Sequence, residues 1–158
     1  MSRGPERHAE ERLRSALWGV SLAVYLGSAV ELGLAEHYEG WRQWMALVAV
    51  GLGLAVSAWA WRRPGPGVLA AVRWLSVAVL AVGALGVGFH LWGNLTFSLD
   101  VAPLETTAGR AWDTLTGGNP AFAPGMLAVA AALSLAATWA HPRLRQSGDG
   151  ERPVRTRA

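Results

Sequence analysis

Four apolar segments of this chain are long enough to cross a lipid bilayer, and they constrain the fold more than any other feature. They cover residues 17–34, 44–61, 74–97 and 122–140 of the 158-residue sequence. A transmembrane helix needs about 20 mostly apolar residues, and open backbone polar groups are not tolerated in the hydrocarbon core. We therefore predict an all-α polytopic membrane protein, built as a four-transmembrane-helix bundle.

The composition agrees with a membrane protein and excludes some chemistry. Hydrophobic residues make up 52% of the chain and charged residues only 16%. The absence of cysteine excludes disulfides, thiolate metal sites and cysteine nucleophiles. The 14 basic residues are all Arg, but they lie beside the apolar segments, so the lipid bilayer and not a nucleic acid is the expected partner.

The Arg residues predict the orientation in the membrane. Twelve of them precede the first segment, join the second to the third or follow the fourth, which leaves only Arg42 and Arg110 for the other side. Short Arg-rich connections stay cytoplasmic. We expect a multi-pass protein of the plasma membrane with both termini in the cytoplasm and an acidic outer side. Residues 1–14 then form an Arg-rich cytoplasmic N-terminus, residues 15–141 the transmembrane domain, and residues 142–158 a disordered cytoplasmic tail.

The long outer connection between the third and fourth segments has a helical pattern of its own. Apolar residues recur there at helical spacing, with Pro103 as a start signal and Gly117 as a stop signal. This pattern predicts a short amphipathic surface helix in the outer loop between spans 3 and 4. The apolar residues of that helix are Leu104, Ala108, Ala111, Trp112 and Leu115.

Small residues predict how the helices pack, because they let backbones approach in lipid. In the first segment they lie at four-residue steps and lead to Glu31; in the third they lead to His90 and Asn94. We expect the first and third helices to touch and Glu31 and His90 to face each other inside the bundle. The small residues are Gly19, Ala23, Gly27, Gly83 and Gly86.

Acidic and imidazole groups cluster on the outer side and supply a candidate binding site. Carboxylates and imidazoles suit zinc or another divalent transition metal, so a divalent metal ion is the first cofactor considered. Haem held by His37 and His90 is less favoured, and the group could also be a solvated acidic loop. The candidate metal ligands are Glu31, His37, His90 and Asp100, with Asn94, Glu36 and Glu39 as further polar members.

Several motifs resemble a family of small bacterial four-span membrane proteins. They are HLWGNLTFSLD from His90, Pro103, the run DTLTGGNPAFAPGM from Asp113, and HPRL from His141. The family pattern is a His-Leu-x-Gly-Asn element, acids shortly after it, and an Ala-Pro-Gly-Met entry into the last helix. Ser98 stands where an acid is common in the family. The resemblance implies the four-span fold and supplies no activity.

Three functions fit these features. The first is a non-catalytic binding or accessory membrane protein whose outward-facing acidic and imidazole site holds a divalent metal ion. The second is a small proton-coupled transporter that uses Glu31 and His90, and the third is a purely structural subunit that joins a partner membrane protein or a second copy of itself. An intramembrane protease is rejected, because the His90 and Asn94 spacing is not accompanied by a GxSG nucleophile motif.

Overall fold

The computed structural model of the protein describes residues 4–36, 38–119 and 122–144. Within these ranges all regular structure is helical and no strand occurs. The helices are α1 (Gly4–Leu34), α2 (Trp41–Arg62), α3 (Pro66–Val101), α4 (Thr107–Thr116) and α5 (Phe122–Ala137). Most of α1, all of α2 and all of α3 are long and apolar enough to cross a membrane, and α5 is apolar but shorter. The prediction of an all-α membrane protein is confirmed to this extent.

The helices extend beyond the apolar segments that predict them. Helix α1 begins at Gly4 and therefore includes much of the Arg-rich N-terminus. Helix α3 begins at Pro66, a proline whose fixed φ suits the first turn. Its 36 residues span about 54 Å at 1.5 Å per residue, which exceeds a hydrocarbon core of about 30 Å. Hydropathy marks the part of a helix that lipid can surround, and the helix itself continues past it.

Helices α1, α2, α3 and α5 form a ring in which each packs mainly against two neighbours, and α2 and α5 also make a small contact across it. Helices α1 and α3 lie on a diagonal and their backbones do not approach closely, so the prediction that the first and third segments pack together through small residues is wrong. Gly83 and Gly86 of α3 face α5 instead. A Cβ on Gly83 would lie 2.9 Å from the Cβ of Ala128, and one on Gly86 would lie 2.7 Å from the Cβ of Pro124.

The buried face of α1 also differs from the predicted one. Its fully enclosed residues are Trp18, Ser21, Tyr25 and Ser28. A Cβ added to Gly19 or Gly27 would meet no atom within 4 Å, so the small-residue ridge does not make the helix contact. The observed face brings the Ser21 hydroxyl to hydrogen-bond partners on α5. A pattern of small residues does not show where such partners lie.

A cluster of buried hydroxyl groups joins α1, α2 and α5 in the interior. Ser134 Oγ lies 2.6 Å from Ser21 Oγ and 3.0 Å from Ser57 Oγ, and Ser21 Oγ also donates to the Ala130 carbonyl at 2.9 Å. Tyr25 is hydrogen-bonded to Ser134 as well. We call Ser21, Tyr25, Ser57 and Ser134 the hydroxyl cluster. Interhelical hydrogen bonds of this kind stabilise helix association in lipid.

One end of the ring, which we call the Arg end, is closed by basic side chains on the last carbonyls of α5. Arg14 Nε donates to the Ala137 carbonyl at 3.2 Å. Arg73 donates from Nε to Thr138 Oγ1 and from Nη2 to the Thr138 carbonyl, both at 3.0 Å. Cations at a helix C-terminus satisfy unpaired carbonyls and complement the helix dipole. The opposite end, where α3 leads into α4, we call the acidic end.

Helix α4 lies beside the end of α3, between Thr106 and Gly117. It begins after Thr106, whose hydroxyl accepts from the Gly109 N–H at 3.1 Å, and not at Pro103, because Thr106 supplies the N-cap acceptor that Pro103 lacks. Its polar side faces α3, where Ser98 Oγ donates to Asp113 Oδ2 at 3.0 Å. Its apolar side chains, including Trp112, face away from the protein.

Candidate functional site

A cavity of about 380 Å³ opens between the four ring helices at the acidic end. Each of the four helices contributes to its wall, so the cavity is a property of the whole bundle. Apolar groups form most of it, including Val50, Val82 and Leu127. Its polar lining residues are Ser28, Glu31, Arg42, Gln43, His90 and Asn119. An apolar cavity with a few convergent polar groups is the usual form of a small-molecule site.

Glu31 reaches this cavity from the last turns of α1. The residue is exposed, so its carboxylate keeps access to solvent while it lines the cavity. Among the described residues, no basic side chain forms a salt bridge with it. Within the described part of the chain, the Glu31 carboxylate thus has no ion-pair partner, although Arg42 lines the same cavity.

His90 lines the same cavity from α3. Its Nδ1 is buried and has no hydrogen-bond partner within the described residues. A buried polar atom that lacks a partner costs about 1–3 kcal/mol, so a ligand atom that reached Nδ1 would recover that cost. Although the backbones of α1 and α3 do not approach closely, Glu31 and His90 both line the cavity between them.

Arg42 covers the cavity from the first turn of α2. Its guanidinium carbon lies 4.6 Å from the centroid of the Phe89 ring and 5.5 Å from that of Trp41. Stacking on aromatic rings holds a cation without a carboxylate partner. The neighbouring Gln43 side chain is also occupied, because its Oε1 accepts from the Glu39 N–H.

Asn94 has a structural position instead of a place in the cavity wall. Its Nδ2 donates to the carbonyls of Thr114 and Asn119, at 3.1 and 3.0 Å, and its Oδ1 accepts from the Asn119 N–H at 2.9 Å. These bonds use most of the capacity of the amide. Asn94 therefore acts on the site through Asn119, which lines the cavity.

The remaining predicted ligands do not join Glu31 and His90. Asp100 is exposed near the end of α3, ten residues and about 15 Å along the helix from His90. Glu36 and Glu39 are exposed in the connection between α1 and α2 and do not line the cavity. His37 lies outside the described residues. Within the described parts of the chain, no three His, Asp or Glu residues group closely enough to hold a metal ion, so a metal site remains a prediction.

The structure adds residues to the site that sequence reasoning missed, above all Phe89 and Arg42. Arg42 had one signal, since it is one of only two Arg residues on the acidic side. Phe89 had none, because an aromatic residue inside an apolar segment also suits a lipid-facing position. The apolar wall of the cavity could not be predicted either, since apolar residues that line a cavity and those that pack against each other have the same sequence pattern.

No protein-family model matches the chain, and neither a curated protein nor a solved structure matches it. The resemblance to small four-span membrane proteins therefore remains a prediction. Fold and site define the class: an all-helical protein with three helices suited to crossing a membrane and a cavity between its helices.

Proposed function

We propose that this is a four-span membrane protein that binds an organic cation in the cavity at its outer end, as a non-catalytic binding or accessory protein. The observation that carries the proposal is the Glu31 carboxylate, which has no salt-bridge partner among the described residues. It shares an apolar cavity with His90 Nδ1, to which no described residue is hydrogen-bonded. A ligand with a protonated amine and an apolar body matches both properties.

Two properties of the ring support α5 as a fourth span. Its 16 residues rise about 24 Å, and the predicted segment continues to Ala140. It also packs against both α1 and α3, two helices that are long enough to span, and its last carbonyls meet Arg14 and Arg73 at the Arg end. A helix enclosed in this way runs at the same depth as its neighbours.

The charges and α4 support an orientation with the acidic end outside. Arg62, Arg63 and Arg73 lie in or close to the connection between α2 and α3 at the Arg end, and short Arg-rich connections stay cytoplasmic. Helix α4 turns its polar side to the protein and exposes Trp112 and Leu115. An exposed apolar face is unfavourable in water and favourable at the boundary of headgroups and acyl chains. We therefore place α4 on the outer membrane surface.

The dimensions and lining of the cavity favour an organic ligand over a bare metal ion. A divalent cation is held by several oxygen or nitrogen ligands at about 2.0–2.6 Å, whereas most of this wall is apolar. An ammonium group can donate to Glu31 in a charge-assisted hydrogen bond and to His90 Nδ1, while its apolar part displaces water below. Arg42 already lies over Phe89 and closes the cavity from the side.

Binding of 2-phenylethylamine to the protein in lipid nanodiscs tests the proposal. The protonated amine should raise the melting temperature, because a ligand that binds only the folded state stabilises it. The neutral 2-phenylethanol and the anionic phenylacetate, which have the same apolar body, should not. Glu31→Gln should abolish the stabilisation, whereas Glu36→Gln, an exposed acid outside the cavity, should keep it. Equal stabilisation by the amine and the alcohol would overturn the proposal.

Elemental analysis separates the organic cation from the divalent metal ion of the sequence prediction. A metal-binding site should copurify with stoichiometric metal that His90→Ala loses. An amine site should be free of stoichiometric metal, and His90→Ala should weaken amine binding by about tenfold, which corresponds to about 1.4 kcal/mol. Stoichiometric metal in the wild type, lost in His90→Ala, would mean that the cavity binds a metal ion and not an organic cation.

Proton-coupled transport is a second candidate, favoured by the presence of two titratable side chains, Glu31 and His90, in one cavity. A carboxylate and an imidazole that bind a cation can exchange it for a proton. Proteoliposomes with an imposed pH gradient should then accumulate 2-phenylethylamine, and Glu31→Gln should stop this. Binding without pH-dependent uptake would leave the binding protein as the function.

A further inference from the structure

A second groove lies between α3 and α5 toward the Arg end and shares no lining residue with the cavity. It has a volume of about 430 Å³ and is lined by Arg73, Trp139 and Thr138 at one end and by Leu80, Ala132 and Leu135 along its length. Residues 73 and 80 are two helical turns apart, so the groove follows the helices for about 10 Å. It therefore joins a basic end to an apolar trough.

The basic end has a positive charge that no described carboxylate neutralises. Arg73 uses Nε and Nη2 on Thr138, and Nη1 makes no hydrogen bond to any described residue. No described carboxylate forms a salt bridge with Arg73. A half-buried guanidinium held rigidly by two bonds, with one nitrogen left over, is preorganised for an anion such as phosphate.

Trp139 gives the depth of this charge in the membrane. Its side chain is 77% exposed, and exposed indoles favour the headgroup level. Trp74, next to Arg73 on α3, is exposed as well. The guanidinium thus lies at headgroup level, while Leu80 and Ala132 lie about two turns deeper, at the level of acyl chains.

We propose that this groove binds one phospholipid with an anionic headgroup, its phosphate on Arg73 and one acyl chain along Leu80 and Ala132. Charge complementarity selects the headgroup, and the apolar trough selects a lipid over a soluble phosphate. The proposal does not depend on the ligand of the outer cavity, because the two sites share no lining residue.

Native mass spectrometry of the detergent-purified full chain tests it, with dioleoylphosphatidylglycerol and dioleoylphosphatidylcholine as probes. Wild type should retain one phosphatidylglycerol about fivefold more than phosphatidylcholine, the preference expected of one Arg near the surface. Arg73→Gln should remove this preference. Retention of both lipids to the same extent by wild type would overturn the proposal.

Because Arg73→Gln also removes two hydrogen bonds to Thr138, a second test uses one variant that fills the groove and a matched control outside it. Ala132 is exposed and lines the groove, while Ala84 is exposed on α3 outside it. Ala132→Phe should lose the bound lipid, and Ala84→Phe should retain it as wild type does. Retention of phosphatidylglycerol by Ala132→Phe would show that the apolar trough plays no part and would overturn the proposal. Inorganic phosphate that raised the melting temperature of the wild type as much as phosphatidylglycerol does would overturn it as well.

Discussion

The Asn94 side chain and the Asn119 backbone are hydrogen-bonded in both directions. Nδ2 of Asn94 donates to the Asn119 carbonyl at 3.0 Å, and its Oδ1 accepts from the Asn119 N–H at 2.9 Å. The amide thus replaces the partner that Asn119 would find in regular secondary structure. Since Asn119 lines the cavity at the acidic end, this pair fixes one wall of the candidate site.

Asn94→Ala should destabilise the protein by about 1–3 kcal/mol, because it leaves the N–H of Asn119 and the carbonyls of Thr114 and Asn119 without their partner. Thermal unfolding in detergent measures the loss. Asn119→Ala is the matched control, since it keeps both backbone bonds to Asn94 and should change stability by much less. Equal losses in the two variants would contradict this structural role of Asn94.

Gly83→Ala should destabilise the bundle by about 1–3 kcal/mol through overpacking. The added Cβ would lie 2.9 Å from the Cβ of Ala128 and 3.0 Å from its backbone nitrogen, and neither α3 nor α5 can yield without moving its backbone. Gly88→Ala in the same helix meets no atom within 4 Å. It should be neutral or slightly stabilising in the same thermal unfolding measurement, and a loss as large as that of Gly83→Ala would argue against tight packing between α3 and α5.

Ser134→Ala should cost between about 0.6 kcal/mol, the average measured for single hydrogen bonds between membrane helices, and about 1.7 kcal/mol, the largest value measured. Ser134 is the shared partner in the hydroxyl cluster, so its removal leaves the hydroxyls of Ser21 and Ser57 to compete for fewer acceptors. Ser15→Ala, at an exposed position of α1, is the control. Unchanged unfolding in Ser134→Ala would mean that the cluster contributes no net stability.

Hydropathy predicted the helical class because the bilayer demands apolar segments of a given length, and that demand is local in sequence. Which helices pack against each other was harder to predict. Gly83 and Gly86 were correctly identified as packing positions, yet their partner is α5 and not α1. A small residue indicates that a backbone comes close without indicating which one.

The candidate site could likewise be predicted only in part. Glu31 and His90 could be singled out because charge is costly in an apolar segment, and they do line one cavity. Asn94 is polar for the same reason but serves the Asn119 backbone. Whether a polar residue lines a cavity or hydrogen-bonds to a nearby backbone depends on neighbours that are far away in sequence. Phe89 and Arg42 meet only after α2 and α3 pack together, so their pairing could not be predicted.

His141 should make the folded protein sensitive to acid. It is 8% exposed, and burial, followed by the positive charges of Arg14 and Arg143, lowers its pKa from the ordinary 6.5. Its Nδ1 also accepts from the Arg143 N–H at 3.3 Å, which only an unprotonated nitrogen can do. The folded state therefore binds this proton less readily than the unfolded state, so stability is full above pH 6.5 and falls as the pH drops from there through the lowered pKa.

Melting temperatures measured in detergent between about pH 8 and 5 check this, bracketing the ordinary His pKa of about 6.5. His141→Gln should flatten the acid side of the profile. Arg14→Gln should lower stability at every pH, because Arg14 also holds the Ala137 carbonyl, and should make the acid decrease smaller, because one charge that opposes protonation is gone. A wild-type profile with the same acid slope as His141→Gln would show that another group controls the response.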